Sequence, residues 1–302
     1  MKQRTIRLAT RGSVLALRQA EMVKALLEKE GYQVEIRKYT TAGDRDRIHA
    51  LVRIGGRGIF VREIERALLS GEADIAVHSG KDLPYELLDG LVIAGNPAAG
   101  DCRDCLITMK GRQLAADAVV GTGSPRRQAE YRRLFPAAKF QDIRGNITTR
   151  LRKLESGEYD AIIMALTGME RIGTDFSKYD ICTFAPAEFI PAGCQGIIAV
   201  ECRREDREML SLLEKVSDPG TRLRFQIERE LFCSMKVDCS MPVGIHAEIE
   251  GENVEISAML RNSRAVRRGP VQQYREMCEE IRQELLSAEM PEQEGTAWLK
   301  DR

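Results

Sequence analysis

The residues best suited to chemistry in this 302-residue chain stand just after short apolar runs. Arg11 and Ser13 follow Ile6–Thr10, and Ser79, Lys81 and Asp82 follow Asp74–His78. Thr122, Ser124, Arg126 and Arg127 follow Val119-Val120, and Arg144 and Gly145 follow Lys139-Phe140. Apolar runs of this length read as buried strands. In open α/β sheets, ligands bind in the loops at the carboxyl ends of strands. The segment Gly121-Thr122-Gly123-Ser124-Pro125-Arg126-Arg127 is the most informative. Ser124 suits an N-cap and Pro125 a first helical position, so free N–H groups there favour an anion. Two arginines in a first turn oppose the helix dipole by roughly 0.3–1 kcal/mol each unless an anion sits there. Two readings stand: a seated anion, or a well-capped helix with two solvated arginines. Arg144 repeats the theme before a Gly145-Asn146 cap, with Arg150 one turn further on. Asp82, two residues before Pro84, is either a turn residue or a lone carboxylate facing positive charge that develops on a substrate nitrogen. Cys239, in the polar stretch Lys236–Gly244, is either structural or a nucleophile or attachment point.

Composition narrows the partners. Lysine and arginine together number 46, balanced by 46 acidic residues, so bulk charge favours neither nucleic acid nor an anionic membrane. Only 12 of the basic residues are lysine and 34 are arginine, whose planar fork suits carboxylate or phosphate. No run of apolar residues is long enough to span a membrane. The N-terminus enters a strand-like segment without a secretory pattern, so a cytoplasmic location with reduced cysteines is expected. Cys102-x-x-Cys105 lacks a second such pair, and no metal site is expected.

The elements that must position these residues alternate strand and helix. Val14–Glu30 reads as a helix closed by Gly31, Val34–Tyr39 as a strand, and Ile59–Leu69 as a helix leading to Asp74–His78. That order implies a parallel sheet covered by helices. Ser70–Val77 resembles Ser156–Ile163, which suggests a second, related lobe with helices from Pro125 and about Ile147. Segments near Pro97–Gly100 and Ile190–Gly196 suit two crossings between lobes. Beyond Ser217–Gly220 the pattern changes to a helix Thr221–Phe232, strands His246–Glu250 and Val254–Leu260, and a helix over about Pro270–Leu286. Pro291–Arg302 reads as a frayed end. The expected division is 1–96 with 196–216, 97–195, and 217–302.

Taken together, Ala9–Ser13, Gly55–Val61, Ala73–Pro84, Gly121–Gln128, Ile143–Asn146, Gly157–Ile162, Pro191–Gly196 and Glu201–Arg203 resemble the porphobilinogen deaminase family over nearly the whole chain. The resemblance implies an α/β fold of two lobes like type 2 periplasmic binding proteins, joined by a hinge, plus a small C-terminal α+β domain. It implies a monomeric transferase that joins four porphobilinogen molecules head to tail into hydroxymethylbilane, releasing ammonia at each step. The product passes to a uroporphyrinogen-III synthase. The chain would grow on a dipyrromethane cofactor held by a thioether to Cys239. Asp82 would stabilise cationic azafulvene-like intermediates. Arg11, Ser13, Ser79, Lys81, Thr122, Ser124, Arg126, Arg127, Arg144, Gly145, Arg150 and Arg171 would meet acetate and propionate groups, with Phe60 near the growing chain. The alternative is a bilobed small-anion-binding protein without activity. Against the family pattern, Gly80 stands where a bulky residue is usual and Cys194 where a small apolar one is. Arg53 and Arg57 replace lysines, Cys102 and Cys105 replace Pro and Ala, and Val237-Asp238 replace Gly-Gly before Cys239.

Overall fold

The computed structural model describes residues 4–39, 61–236 and 241–288. In the first lobe, β1 (Thr5–Arg11), α1 (Val14–Lys29), β2 (Gln33–Tyr39), α2 (Arg62–Leu69), β3 (Ile75–Ser79) and β4 (Leu91–Gly95) precede a crossing to the second. There follow β5 (Asp104–Met109), β6 (Val119–Gly121), α3 (Pro125–Leu134), β7 (Lys139–Gln141), α4 (Ile147–Glu155), β8 (Ala161–Ala165), α5 (Leu166–Arg171) and β9 (Tyr179–Thr183). The chain then returns as β10 (Ile198–Arg203) and α6 (Arg207–Lys215). The two sheets run β2-β1-β3-β10-β4 and β7-β6-β8-β5-β9. β1, β2 and β3 pair in parallel as expected, but each sheet as a whole is mixed, because β10 and β5 each run antiparallel to both neighbours. Each of these strands enters its sheet directly from a crossing. It therefore starts at the edge where the parallel strands end.

The internal repeat is a repeat of structure. Asp74 accepts from the backbone N–H of Arg7 on β1 (2.9 Å), and Asp160 accepts from that of Val119 on β6 (2.7 Å). Ser70 and Ser156 each donate to the carbonyl three residues back and to the glutamate two residues on. Gly71 and Gly157 share a left-handed backbone, φ 74° and 77°, which an L side chain resists. Ser13 caps α1 and Ser124 caps α3 in corresponding places.

Each lobe has its own core. Ile6, Leu8, Val23, Leu27, Ile75, Ile198 and Val200 close the first, and Ile107, Leu154, Ile162 and Met169 lie in the second. Each such side chain contributes about 1.5–3 kcal/mol on burial. The third unit begins with α7 (Pro219–Met235), capped by Asp218. A meander of β11 (Val243–Glu250), β12 (Asn253–Leu260) and β13 (Ser263–Pro270) follows, and α8 (Tyr274–Ser287) closes it. Ile245, Ala247, Ile256 and Ala258 pack there against Ile227, Leu231 and Ile281. β13 escapes the sequence reading because its SRAVRRGP run is too basic to look like a strand, and α8 starts at Tyr274 rather than Pro270. The two crossings touch: Gly100 N–H donates to Gly196 O at 3.0 Å. Gly196 has φ 85°, and a Cβ there would lie 2.5 Å from the Gly100 oxygen. No described helix is long and apolar enough to cross a membrane.

Candidate functional site

Because β5 starts at the ligand edge of the second lobe, Asp104 lies among the loops that follow β6 and β8, with no exposed surface. Its carboxylate meets Arg126 at 2.7 Å and Arg127 at 2.8 Å. The two arginines, in the first turn of α3, are themselves buried. Arg126 also donates to Ile190 O (2.8 Å), and Arg127 to Ile163 O (3.1 Å). The pair is therefore neither solvated nor without a counter-ion, since the protein supplies one anion from within. Burial alone would raise the Asp104 pKa. Arg126 and Arg127 overcome that and hold it down to about 2. One carboxylate facing two guanidinium groups leaves an unneutralised positive charge in a poorly solvated place, where fields act strongly.

Lys81 adds to that charge. It lies in the 3-10 turn Gly80–Asp82 that follows β3, and its Nζ donates to Gln195 Oε1 at 3.3 Å. Solvent still reaches the residue from the cleft. Surrounding protein and the nearby Arg127 nonetheless lower its pKa to about 8. Asp82, next along, is exposed. Lys81, Ser124 and Arg126 share the wall of a cavity of about 200 Å³ with Arg229 and Phe232 of α7 and with Met241. All three units thus contribute to one pocket. Arg229 reaches the loop after Asp82, donating to the carbonyls of Leu83 (3.3 Å) and Tyr85 (2.8 Å).

The other nominated residues are more dispersed. Thr122 is buried beneath the α3 start and accepts from Ser124 N–H (3.2 Å), while Ser124 Oγ accepts from Arg127 N–H (3.4 Å). Ser13 is exposed and Arg11 half-buried at the end of β1, and Ser79 Oγ donates to Gln19 Oε1 (3.0 Å). Arg144 is exposed and pairs with Asp142 at 2.8 Å, and Arg150 donates to Gly145 O (2.8 Å). Burial lowers the pKa of Arg150 and of Arg171. Arg171 donates to Gly196 O (2.6 Å) and so braces a lobe crossing. Phe60 and Cys239, with Val237-Asp238, lie outside the described residues, as do Arg53, Arg57 and Pro291–Arg302. Met241, two residues past Cys239, is on the cavity wall. A Cβ on Gly80 would lie 3.0 Å from the Cβ of Cys194, so the glycine leaves that side chain its room.

Sequence reasoning missed Asp104, Gln195, Arg229 and Phe232. It searched the carboxyl ends of strands, whereas Asp104 opens an antiparallel strand. The spacing of the other three gives no sign of the cavity.

The model for "Porphobilinogen deaminase, dipyromethane cofactor binding domain" matches residues 6–211, which span both lobes. A porphobilinogen deaminase of Streptococcus sanguinis is 41% identical over 266 residues, covering 85% of this chain and 86% of its own. One of Syntrophobacter fumaroxidans is 39% identical over 299 residues, covering 95% and 96%. Among solved structures, the periplasmic VFT2 domain of Bordetella pertussis BvgS is only loosely similar, at 17% identity and TM-score 0.41 over 76% of this chain and 92% of that one. On the family model and these two relatives, the chain belongs to the porphobilinogen deaminase family.

Proposed function

We propose that this transferase condenses four porphobilinogen molecules head to tail into hydroxymethylbilane, with release of ammonia, and that Cys239 tethers its dipyrromethane cofactor. The observation that carries the reading is the excess positive charge of Arg126, Arg127 and Lys81 over Asp104, on and behind one cavity wall that also includes Met241. A group bearing several carboxylates fits such a donor set, because it neutralises a charge that the protein leaves uncompensated. When bound, the cofactor supplies the pyrrole carbon from which the chain grows.

The roles of the protein's own residues follow from their settings. Arg126 and Lys81 bind carboxylates at the wall, and Arg127, behind it, holds the field. Ser124 and Thr122 fix the helix start that presents Arg126. Arg11, Ser13, Ser79, Arg144, Gly145, Arg150 and Arg171 serve the acetates and propionates that arrive as the chain lengthens, and Phe60 flanks it. Asp82 accepts from the pyrrole N–H and stabilises positive charge on that nitrogen as ammonia departs. An exposed carboxylate beside a lysine can turn to successive rings. Each charge-assisted contact contributes about 1.5–3 kcal/mol. We assign the lobes to 1–96 with 196–216 and to 97–195, and the cofactor-bearing domain to 217–302. The enzyme acts as a cytoplasmic monomer whose product passes to a uroporphyrinogen-III synthase.

Intact-mass measurement tests this reading. Protein made in a haem-synthesising host is expected to be heavier than its sequence by one dipyrromethane, and Cys239→Ser to lack that mass. An unmodified wild-type chain would favour the inactive anion-binding alternative.

A further inference from the structure

The turn that carries Lys81 and Asp82 is held at both of its ends. Where it begins, Gly80 N–H donates to Ile197 O at 2.9 Å, which ties it to the chain entering β10. Where it ends, the chain from Leu83 to Tyr85 lies against α7 of the third domain. Arg229 donates from Nη1 to Leu83 O (3.3 Å) and from Nη2 to Pro84 O and to Tyr85 O (2.8 Å). Cys233 donates its thiol to Tyr85 O at 3.4 Å, and the rings of Tyr85 and Phe232 meet with centroids 4.8 Å apart. Leu83 is buried in one cluster with Phe225.

Phe225, Arg229, Phe232 and Cys233 follow one another at helical spacing and so share one face of α7. Ile227, Leu231 and Met235, on another face, pack in the third domain's own core. The helix is therefore fixed in its domain on one side and grips the loop after Asp82 on the other. A planar guanidinium that spans several carbonyls sets both the place and the direction of that backbone. Asp82 is exposed, so packing does little to place it, and the backbone on either side must do so. α7 ends at Met235, four residues before Cys239 in the sequence. The helix that grips the Asp82 loop thus leads into the segment proposed above to bear the tether.

We propose that α7 is the positioning element for Asp82, with Arg229 and the Tyr85–Phe232 contact as its positioning residues. They keep the backbone under the carboxylate at one place relative to the tether-bearing domain, so each new ring meets Asp82 from the same origin. The carboxylate still turns about its own side-chain bonds, and α7 fixes the point from which it turns. This role rests on the one proposed for Asp82 in the reaction.

The test is a double-mutant cycle on holoenzyme: wild type, Arg229→Met, Asp82→Asn and the double variant. Each carries the dipyrromethane and is followed by intact mass as porphobilinogen units are added. Arg229→Met is expected to slow addition ~10-fold or more when Asp82 is present. In the Asp82→Asn background it is expected to slow addition by less than ~2-fold, because a residue that acts through another loses its effect when the other is gone. Equal slowing in both backgrounds would overturn the proposal, since a direct hold on substrate or a general loss of structure slows both alike. No slowing in either would overturn it too. Tyr85→Leu removes the ring and keeps the carbonyls, and is expected to show the same coupling with ~3-fold slowing. That second cycle decides the matter if Arg229→Met is not recovered as holoenzyme, and equal slowing there overturns the proposal in the same way. Addition at the wild-type rate by Asp82→Asn alone would instead remove the role of Asp82 on which the proposal stands.

Discussion

Asp74 in the first lobe and Asp160 in the second occupy the same place in the same loop, each accepting from the neighbouring parallel strand of its sheet. Asp74 is fully buried among Arg4, Arg7 and Arg203; burial alone would raise its pKa, but Arg7 and Arg4 hold the carboxyl well below the usual range. Asp160 stays partly exposed with Arg112. At the ligand edge the contrast is reversed. The first lobe presents Lys81 and Asp82 to solvent, whereas the second buries Arg126 and Arg127 on Asp104. One frame, built twice, thus serves two purposes. On the proposed function, the first lobe would offer groups free to move with a reacting ring, and the second a fixed positive field. Fixed dipoles and charges stabilise developing charge without reorganising, whereas a group that must follow several rings needs freedom.

The comparison breaks first at Asp104. Asp104→Asn leaves two buried guanidinium groups without their anion and is expected to cost about 3–5 kcal/mol in urea unfolding. Because the Asp104 pKa is held below the usual carboxylate value, its contribution is present above about pH 4 and is lost as the pH falls towards 2. A cost near zero would mean that the arginines are held by something else. Asp82→Asn, at an exposed position, is expected to change stability by less than about 0.5 kcal/mol and to lower turnover by ~10²–10³-fold. Near-normal turnover would remove Asp82 from its role.

Smaller effects sharpen the contrast. Lys81 is charged below about pH 8 and neutral above it. Carboxylates prefer the charged form, so KM for porphobilinogen is expected to rise above pH 8, by up to about tenfold per pH unit. Binding at pH 8 is expected to take up protons, as calorimetry in two buffers would read. A flat KM between pH 7 and 9 would place Lys81 away from the substrate. Ser13→Ala and Ser124→Ala remove equivalent caps and are each expected to cost ~1 kcal/mol in thermal unfolding. Unequal costs would show that the repeat does not extend to its helix starts.

Much of the frame was legible in the sequence because its signals are local. Pro125 after Ser124, Gly31 after a helical run and the repeated Ser-Gly-Glu segments each fix a helix end or turn by short-range chemistry. β5 and β10 were not read because strand direction depends on where the chain re-enters a sheet, which no window of sequence records. For the same reason the arginine excess was only half understood. Arg4, Arg7 and Arg203 serve Asp74, and Arg267 serves Glu280 and Glu284, all without a ligand. Composition shows how many forks a chain carries but not which anion each one meets. Asp82 and Lys81 were found because they follow a parallel strand, and Asp104 was missed because it precedes an antiparallel one.

The division of labour between the lobes is tested most directly by intact mass spectrometry of Arg126→Leu and Asp82→Asn, made side by side in a haem-synthesising host and then offered porphobilinogen. The account predicts that Arg126→Leu lacks the dipyrromethane mass. It predicts that Asp82→Asn carries that mass but gains added pyrrole units far more slowly than wild type. A fully loaded Arg126→Leu protein, or an Asp82→Asn protein that elongates at the wild-type rate, would contradict it.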